Sequence, residues 1–327
     1  RTHRFASFGR LYRGETSFDF VGRRRLWFAI SAIIIVAGIA SLSIRGFNFG
    51  IDFKGGSSWT VTKAGISQAK VLSAVEAAGL TQPTVVVLGG KTAQVQADLN
   101  SLSGTQQKDI TDAVTAALQR IAPGQAVSIS TVGPTWGSQI TKHAVTALIV
   151  FFIAVGIYIS LRFEPKMAIA AFVALLHDLL VTAGVFSLSG FQVTPDAVVA
   201  VLTILGYSLY DTVVVFDRVR DNARGLGSSG RMTYSEMVNL SMNQTLARSI
   251  NTSLVAILPV LAVLFVGAEL LGAITLQNFG LALFVGLLSG AYSSIFIASP
   301  ILAIMKEREA RYRNVRRRLE SRGDRFG

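Results

Sequence analysis

Six stretches of the chain stay apolar for close to twenty residues, the length an α-helix needs to cross a hydrocarbon core of roughly 30 Å. They predict spans over 26–44, 144–161, 167–189, 197–216, 250–268 and 276–305. Between the first two the pattern changes to short periodic elements separated by turn residues. A strand is expected over 57–63. A helix follows over 67–78, with Ser67 as its cap, Gly79 ending it, and Val71, Leu72, Val75 and Ala78 on one face. A second strand, 84–88, closes on Gly89-Gly90. Residues 92–99 alternate through Ala93, Val95 and Ala97 as a half-buried strand does. Residues 106–121 form a helix with Ile110, Val114, Leu118 and Ile121 inward, and 126–132 alternate through Val127, Ile129 and Thr131. The order β-α-β-β-α-β is that of the ferredoxin-like split unit.

The expected fold is a polytopic α-helical membrane protein, with six transmembrane helices and an extracytoplasmic ferredoxin-like α+β domain between helices 1 and 2. Its expected parts are a basic N-terminal segment (1–25), the first span (26–46) and the external domain (47–137). Five spans then fill 138–305, with a loop at 218–249, and a basic tail occupies 306–327. The external domain contains no nucleophile, metal cluster or phosphate loop and is expected to dock or to contact substrate.

Charge fixes the expected orientation. The chain carries 31 Lys+Arg against 19 Asp+Glu, a net +12 that first suggests nucleic acid. The basic residues lie between apolar runs, however. Seven precede span one, two follow span two, five follow span four and nine lie in the tail, which is 23 of the 31. The loops after spans three and five have none, so both termini are expected in the cytoplasm. Span one follows a basic stretch but is long for a signal peptide and precedes five more spans, so it reads as a retained anchor. With no cysteine and only His3, His143 and His177, disulfides, thiolate sites and His-rich metal sites are excluded. No enzyme activity, cofactor or nucleic-acid partner is expected.

Charges inside spans carry the most functional information. Each costs about 2.5–3.5 kcal/mol at mid-membrane on insertion scales, so one that persists faces a partner or a water path. His177 and Asp178 lie ten or eleven residues into span three, about 15–17 Å deep at 1.5 Å per residue. Asp211 lies about 9 Å from Asp217 at the inner end of span four, where Asp217 and Arg218 mark the interface. A modest extension of span five would bring Arg248 level with Asp211, and such a pair would offset much of the desolvation of either charge. That pair is either a static lock between two helices or a protonation switch. His177 is either a proton relay or a hydrogen-bond donor between helices. Asp196 and Glu269, at outer span ends, are expected in solvent.

Packing devices accompany these charges. Gly286 and Gly290, followed by Ser293 and Ser294, make a stripe that lets helices approach closely. Gly206, Ser208 and Tyr210 precede Asp211. Pro259 and Pro300 should kink spans five and six. Residues 225–231 read as a flexible turn, and Thr233-Tyr-Ser-Glu236 as a capping box opening an interfacial helix that leads into span five. The basic tail is expected to attract anionic lipid, at about 1 kcal/mol per residue near the surface; a ribosome contact is the other option.

Four motifs occur in order: Asn48-Phe-Gly-Ile-Asp52-Phe-Lys-Gly55-Gly56, Gly206-Tyr-Ser-Leu-Tyr-Asp211-Thr-Val-Val-Val-Phe-Asp217-Arg218, Ala247-Arg248-Ser-Ile-Asn251-Thr-Ser253, and Ser289-Gly-Ala-Tyr-Ser-Ser-Ile-Phe-Ile-Ala-Ser-Pro300. Together with the arrangement of one span, an external domain and five spans, they resemble the SecD/SecF family of the bacterial Sec protein-export machinery, within the resistance-nodulation-division superfamily. The resemblance implies a homologous six-span partner, SecD, a place beside the SecYEG channel, and use of the proton-motive force to draw unfolded preprotein across the membrane. A YidC-type insertase and auxiliary Sec subunits are further implied partners. The family's proton-coupling acid matches Asp211 and its essential arginine Arg248; a second key acid belongs to SecD. Asp52, Gly55 and Gly56 are expected to shape the join between span one and the domain. A structural subunit stabilising the translocon or its link to an insertase is the competing reading. A split lipid or drug exporter of the same superfamily is the third, against which one small external domain leaves little room for a substrate cleft.

Overall fold

The computed structural model describes residues 9–225 and 229–323. Its elements in chain order are α1 (Arg24–Arg45), β1 (Asn48–Phe49), α2 (Ile51–Lys54), β2 (Gly56–Thr62), α3 (Gln68–Ala77), β3 (Thr84–Leu88), β4 (Thr92–Ala97), α4 (Gly104–Ile121) and β5 (Ser128–Val132). They continue with α5 (Pro134–Arg162), α6 (Pro165–Ser189), β6 (Gln192–Val193), α7 (Pro195–Gly225), α8 (Tyr234–Ala262), α9 (Ile274–Ser293), α10 (Ser299–Glu307) and α11 (Ala310–Gly323). Helix α8 runs on as a π-helix over Val263–Leu270, and a π-helical turn, Ser294–Ala298, joins α9 to α10. Among the described residues, six helical stretches are long and apolar enough to cross a membrane: α1, α5, α6, α7, α8 with its π extension, and α9–α10. This is a multi-pass helical membrane protein.

Helices α6, α7 and α9–α10 bury about half of their most apolar stretches, whereas α1, α5 and α8 leave most of theirs exposed. The first group is therefore the centre of the bundle. Several boundaries differ from the sequence reading. Helix α5 starts at Pro134, ten residues before the apolar run, because proline at the first turn is pre-set for helix and needs no N–H partner there. The predicted interfacial helix is not separate. The Thr233–Glu236 capping box is formed, and the helix it opens continues unbroken into span five. Its N-terminal end straps down the segment before α1: Asn243 Oδ1 accepts from Phe18 N at 2.9 Å, and Asn239 Oδ1 from Phe20 N and Val21 N at 3.1 and 3.0 Å. Pro259 lies inside α8 with the π-helix four residues on, and Pro300 opens α10. Part of the predicted 225–231 turn lies outside the described residues.

The domain between α1 and α5 is a four-stranded antiparallel sheet in the order β3-β4-β2-β5, with α3 and α4 as its crossovers. Trp59, Val61, Val71, Val75, Val95, Val114 and Leu118 form its core. Ser67 stands at the start of α3 but makes no capping bond, while Ser103 and Gln106 form a capping box on α4 that the sequence reading missed. The inward alternation expected of the last strand fails: β5 is an edge, and Ile129 is 44 % exposed.

Helices α1 and α6 run in parallel register. Ser31 meets His177 and Ser41 meets Ser187, each at an offset of 146 residues. Between them, at the same offset, Gly38 and Gly184 pack backbone to backbone; a Cβ on Gly184 would lie 2.9 Å from Gly38 Cα. The pairing continues beyond the helices, where β1 and β6 align in parallel, Asn48 with Gln192 and Phe49 with Val193. Gly184→Leu should force α1 off α6 and lower stability by about 1–3 kcal/mol, visible as a fall in thermal midpoint in detergent. Gly184→Ala should show a smaller fall in the same direction.

At the opposite end, Lys306 Nζ pairs with Glu164, and Lys166 Nζ reaches Glu309 at 3.0 Å. Burial pushes the Glu309 carboxyl up, but the hydrogen bond from Lys166 and the Lys306 charge outweigh it and hold Glu309 below its ordinary 4.5. A carboxyl depressed on folding stabilises above its unfolded value and loses that contribution as pH falls through the folded one. The tether of α11 to the start of α6 should therefore hold at neutral pH and loosen below 4.5. Spin labels on Ser160 and Ser321 should report a distance distribution that broadens on acidification, and Glu309→Gln should show the broad distribution at both pH values.

Candidate functional site

Asp178 sits at the centre of the bundle and is 1 % exposed. His177 is the thirteenth of the 25 residues of α6, so the pair lies at mid-helix, as its depth in the sequence implied. Small residues on the neighbouring helices make room for it. A Cβ on Gly286 of α9 would come within 2.3 Å of Ile204 Cγ2 on α7, and one on Gly290 within 2.9 Å of Ser208 Cβ. The expected close approach of this stripe is thus real, and its partner is α7. That approach brings three serines onto one carboxylate. Asp178 Oδ2 accepts from Ser208 Oγ at 2.6 Å and Ser293 Oγ at 2.9 Å; Oδ1 accepts from Ser289 Oγ at 2.9 Å and lies 3.2 Å from His177 Nδ1. An ionised carboxylate has about four lone-pair sites, and all four are occupied. The other imidazole nitrogen, Nε2, lies 2.9 Å from Ser31 Oγ on α1.

Asp211 is on α7, three residues after Ser208 and hence one turn along the same face. It is also buried, though less completely, and poorly served: Oδ1 accepts from Ser249 Oγ at 3.1 Å, and Oδ2 has no hydrogen-bond partner among the described residues. The neighbouring Thr212 Oγ1 meets Ser294 Oγ at 3.1 Å. The two acids are thus joined through the polar faces of α7 and of the chain from α9 into its π turn. One is saturated with donors and the other is short of them.

The expected ion pair between Asp211 and Arg248 is not formed. Extension of span five does bring Arg248 level with α7, but its Nη2 donates to Tyr210 Oη at 3.0 Å on an exposed face. Consecutive residues on a helix point about 100° apart, so with Ser249 aimed at Asp211, Arg248 faces the side of the bundle. Among the described residues it has no carboxylate partner. Asp217 and Arg218 are tied in the C-terminal part of α7: Asp217 accepts from Arg162 Nη2 at 3.2 Å and Arg220 Nη2 at 2.9 Å, and Arg218 Nε donates to Gln244 Oε1 at 2.7 Å.

Asp52, Gly55 and Gly56 lie at the base of the domain. Gly55 and Gly56 have φ of +80° and +131°, and a Cβ on Gly56 would press to 2.7 Å from Ala97 O. Only glycine accepts both the backbone and the space. Burial pushes the half-buried Asp52 carboxyl up, opposed by a hydrogen bond from its own backbone and assisted by the charge of Asp196. On the far side the β3–β4 hairpin rests on the end of span five, where Lys91 Nζ donates to Leu270 O at 3.1 Å.

Sequence reasoning missed Ser31, Ser289 and Tyr292 as parts of the site. The available signal was modest: Ser289 and Ser293 at i and i+4 put two hydroxyls on one face of an apolar helix.

Comparison with known proteins agrees with these observations. The family model for the protein export membrane protein SecD/SecF, C-terminal, matches residues 113–308, and that for the SecD/SecF GG motif matches residues 40–61, which include Gly55-Gly56. The protein translocase subunit SecF of Mycobacterium tuberculosis is 47 % identical over 97 % of this chain and 73 % of its own length. That of Streptomyces coelicolor is 44 % identical over 95 % and 82 %. The crystal structure of SecDF from Thermus thermophilus, described as a translocon-associated membrane protein, superposes with a TM-score of 0.78 at 30 % identity, covering 94 % of this chain and 42 % of that one. The chain thus spans about two-fifths of the SecDF chain it matches. Its sequence, its helical arrangement and the glycine pair at the base of its domain all place it in one group: the chain belongs to the SecD/SecF family of protein export membrane proteins.

Proposed function

We propose that this chain is a SecF-type subunit of the Sec translocon accessory complex, working with a SecD partner and the SecYEG channel to promote preprotein translocation at the expense of the proton-motive force. The observation that carries the reading is the unpartnered Oδ2 of Asp211. A buried carboxylate oxygen without a donor is costly, and a proton is the smallest group that relieves the cost. Asp211 takes up and releases that proton. Ser249 on α8 registers the change, and Arg248, beside it on an open face of the bundle, meets the charge supplied by the partner. His177 and Asp178 form the second part of the same polar path.

The domain between α1 and α5 is read as ferredoxin-like and extracytoplasmic, from its strand order and from the excess of basic residues on the opposite side. Both termini then lie in the cytoplasm, and α11, with its run of arginines, lies against anionic lipid. The unfolded preprotein is the substrate, and a YidC-type insertase a further neighbour. The second reading, a non-conducting subunit that stabilises the assembly, draws on the four donors around Asp178, an arrangement suited to a static knot. Export into inverted membrane vesicles, with and without a proton gradient, tests the two. Coupling requires that the gradient's stimulation disappear in Asp211→Asn while the complex stays assembled.

A further inference from the structure

The imidazole of His177 is contacted on both sides, and the hydrogens along that path can be counted. Nδ1 faces Asp178 Oδ1 at 3.2 Å. Nε2 faces Ser31 Oγ at 2.9 Å, Ser31 Oγ lies 3.4 Å from Tyr292 Oη, and Tyr292 Oη donates to Trp27 O at 2.7 Å. The Tyr292 ring also stacks on the imidazole, with centroids 6.1 Å apart. A carboxylate and a backbone carbonyl can only accept. The contact between Nδ1 and Oδ1 therefore takes one hydrogen, on Nδ1 when Asp178 is ionised or on Oδ1 when it is protonated, and the single phenolic hydrogen of Tyr292 is committed to Trp27. That leaves Ser31 with one hydrogen and two neighbours. If Nε2 is bare, Ser31 donates to it, and no hydrogen remains for the contact with Tyr292. If Nε2 is protonated, it donates to Ser31, and Ser31 passes its own hydrogen to Tyr292. Only the second arrangement satisfies every contact.

We propose that Ser31 and Tyr292 are positioning residues through which span one reads the protonation of His177. The ring with a hydrogen on Nε2 holds α1 on α6 by an unbroken relay from Asp178 through His177, Ser31 and Tyr292 to the Trp27 carbonyl. Loss of the Nε2 proton opens the relay at its longest link, between Ser31 and Tyr292. The inference rests on the proton-coupled reading above and names where the charge state leaves the bundle: α1 runs through β1 directly into the external domain. The groups facing the imidazole are Asp178 from α6 and Tyr292 from α9–α10. Helix α1 presents Ser31 and no charge, and α7 approaches only through Ser208 on the far side of Asp178.

The test is solid-state NMR of the full chain in lipid bilayers with nitrogen-15 histidine, His177 being assigned by comparison with His177→Gln. The wild type should show Nε2 of His177 carrying a hydrogen at neutral pH. Ser31→Ala should lose the Nε2–H signal at the same pH, and Ser31→Thr should restore it. Tyr292→Phe, which keeps the ring and removes only the hydroxyl, should weaken it without disturbing the fold. A His177 whose Nε2 carries no hydrogen anywhere in about pH 5–8, or a Ser31→Ala spectrum identical to wild type, overturns the proposal. The readout does not depend on export. If Asp211 proves not to be a coupling acid, the spectra of these variants still decide whether span one reads His177.

Discussion

Vesicles carrying Asp211→Asn should lose the stimulation of export by a proton gradient while the variant still co-purifies with its SecD partner. Asparagine has the shape of aspartate, and its carbonyl oxygen can accept from Ser249 as Oδ1 does at 3.1 Å. What it cannot do is gain or lose a proton. One elementary charge crossing 100 mV releases about 2.3 kcal/mol, enough to bias two conformations about 50-fold; that bias is what the variant forfeits. Arg248→Met should behave alike. Arg248 is exposed and bonded to Tyr210, so its loss leaves the core of this chain intact and removes a charge from an open face of the bundle. Normal gradient-dependent export by both variants would rule out coupling at this pair. Parallel loss of assembly and activity would favour the structural reading.

The largest effect on stability is expected at Asp178. Asp178→Ala leaves the hydroxyls of Ser208, Ser289 and Ser293 and the Nδ1 of His177 without their acceptor, at the buried centre of the bundle. Removing one partner of a buried charged network costs about 3–5 kcal/mol, and the thermal midpoint of the purified chain should fall accordingly. Asp178→Asn should fall less: its carbonyl still accepts two donors, and the serine hydroxyls at its amide can rotate to accept. An Asp178→Ala protein as stable as wild type would show that this network does not hold α6, α7 and α9–α10 together.

The two acids show how far the sequence could be read. That both lie inside spans follows from the apolar residues around them, and their depth follows from counting at 1.5 Å per residue. Their different roles do not follow. Asp178 is saturated because serines from α7 and α9 converge on it, whereas Asp211 has Ser249 on Oδ1, Ser294 close by, and an Oδ2 with no bonded partner among the described residues. Hydropathy places residues along a helix axis but leaves rotation about it free, and a rotation of one residue separates an ion pair with Arg248 from a hydrogen bond with Ser249. The same freedom hid Ser31, a lone hydroxyl in an apolar run whose meaning comes from the parallel register of α1 with α6.

By itself the sequence determined six spans, the place and strand order of the domain between the first two, the glycine pair at its base and the ionisable residues inside the membrane. Each of these is local: a run of apolar side chains, a period of two or 3.6, or a charge where charge is expensive. The tertiary structure alone decided which helices form the centre, that Gly38 and Gly184 meet, and which donors each carboxylate receives. Those outcomes depend on close packing between segments far apart in the chain, where displacements of an ångström or two decide whether two polar atoms bond.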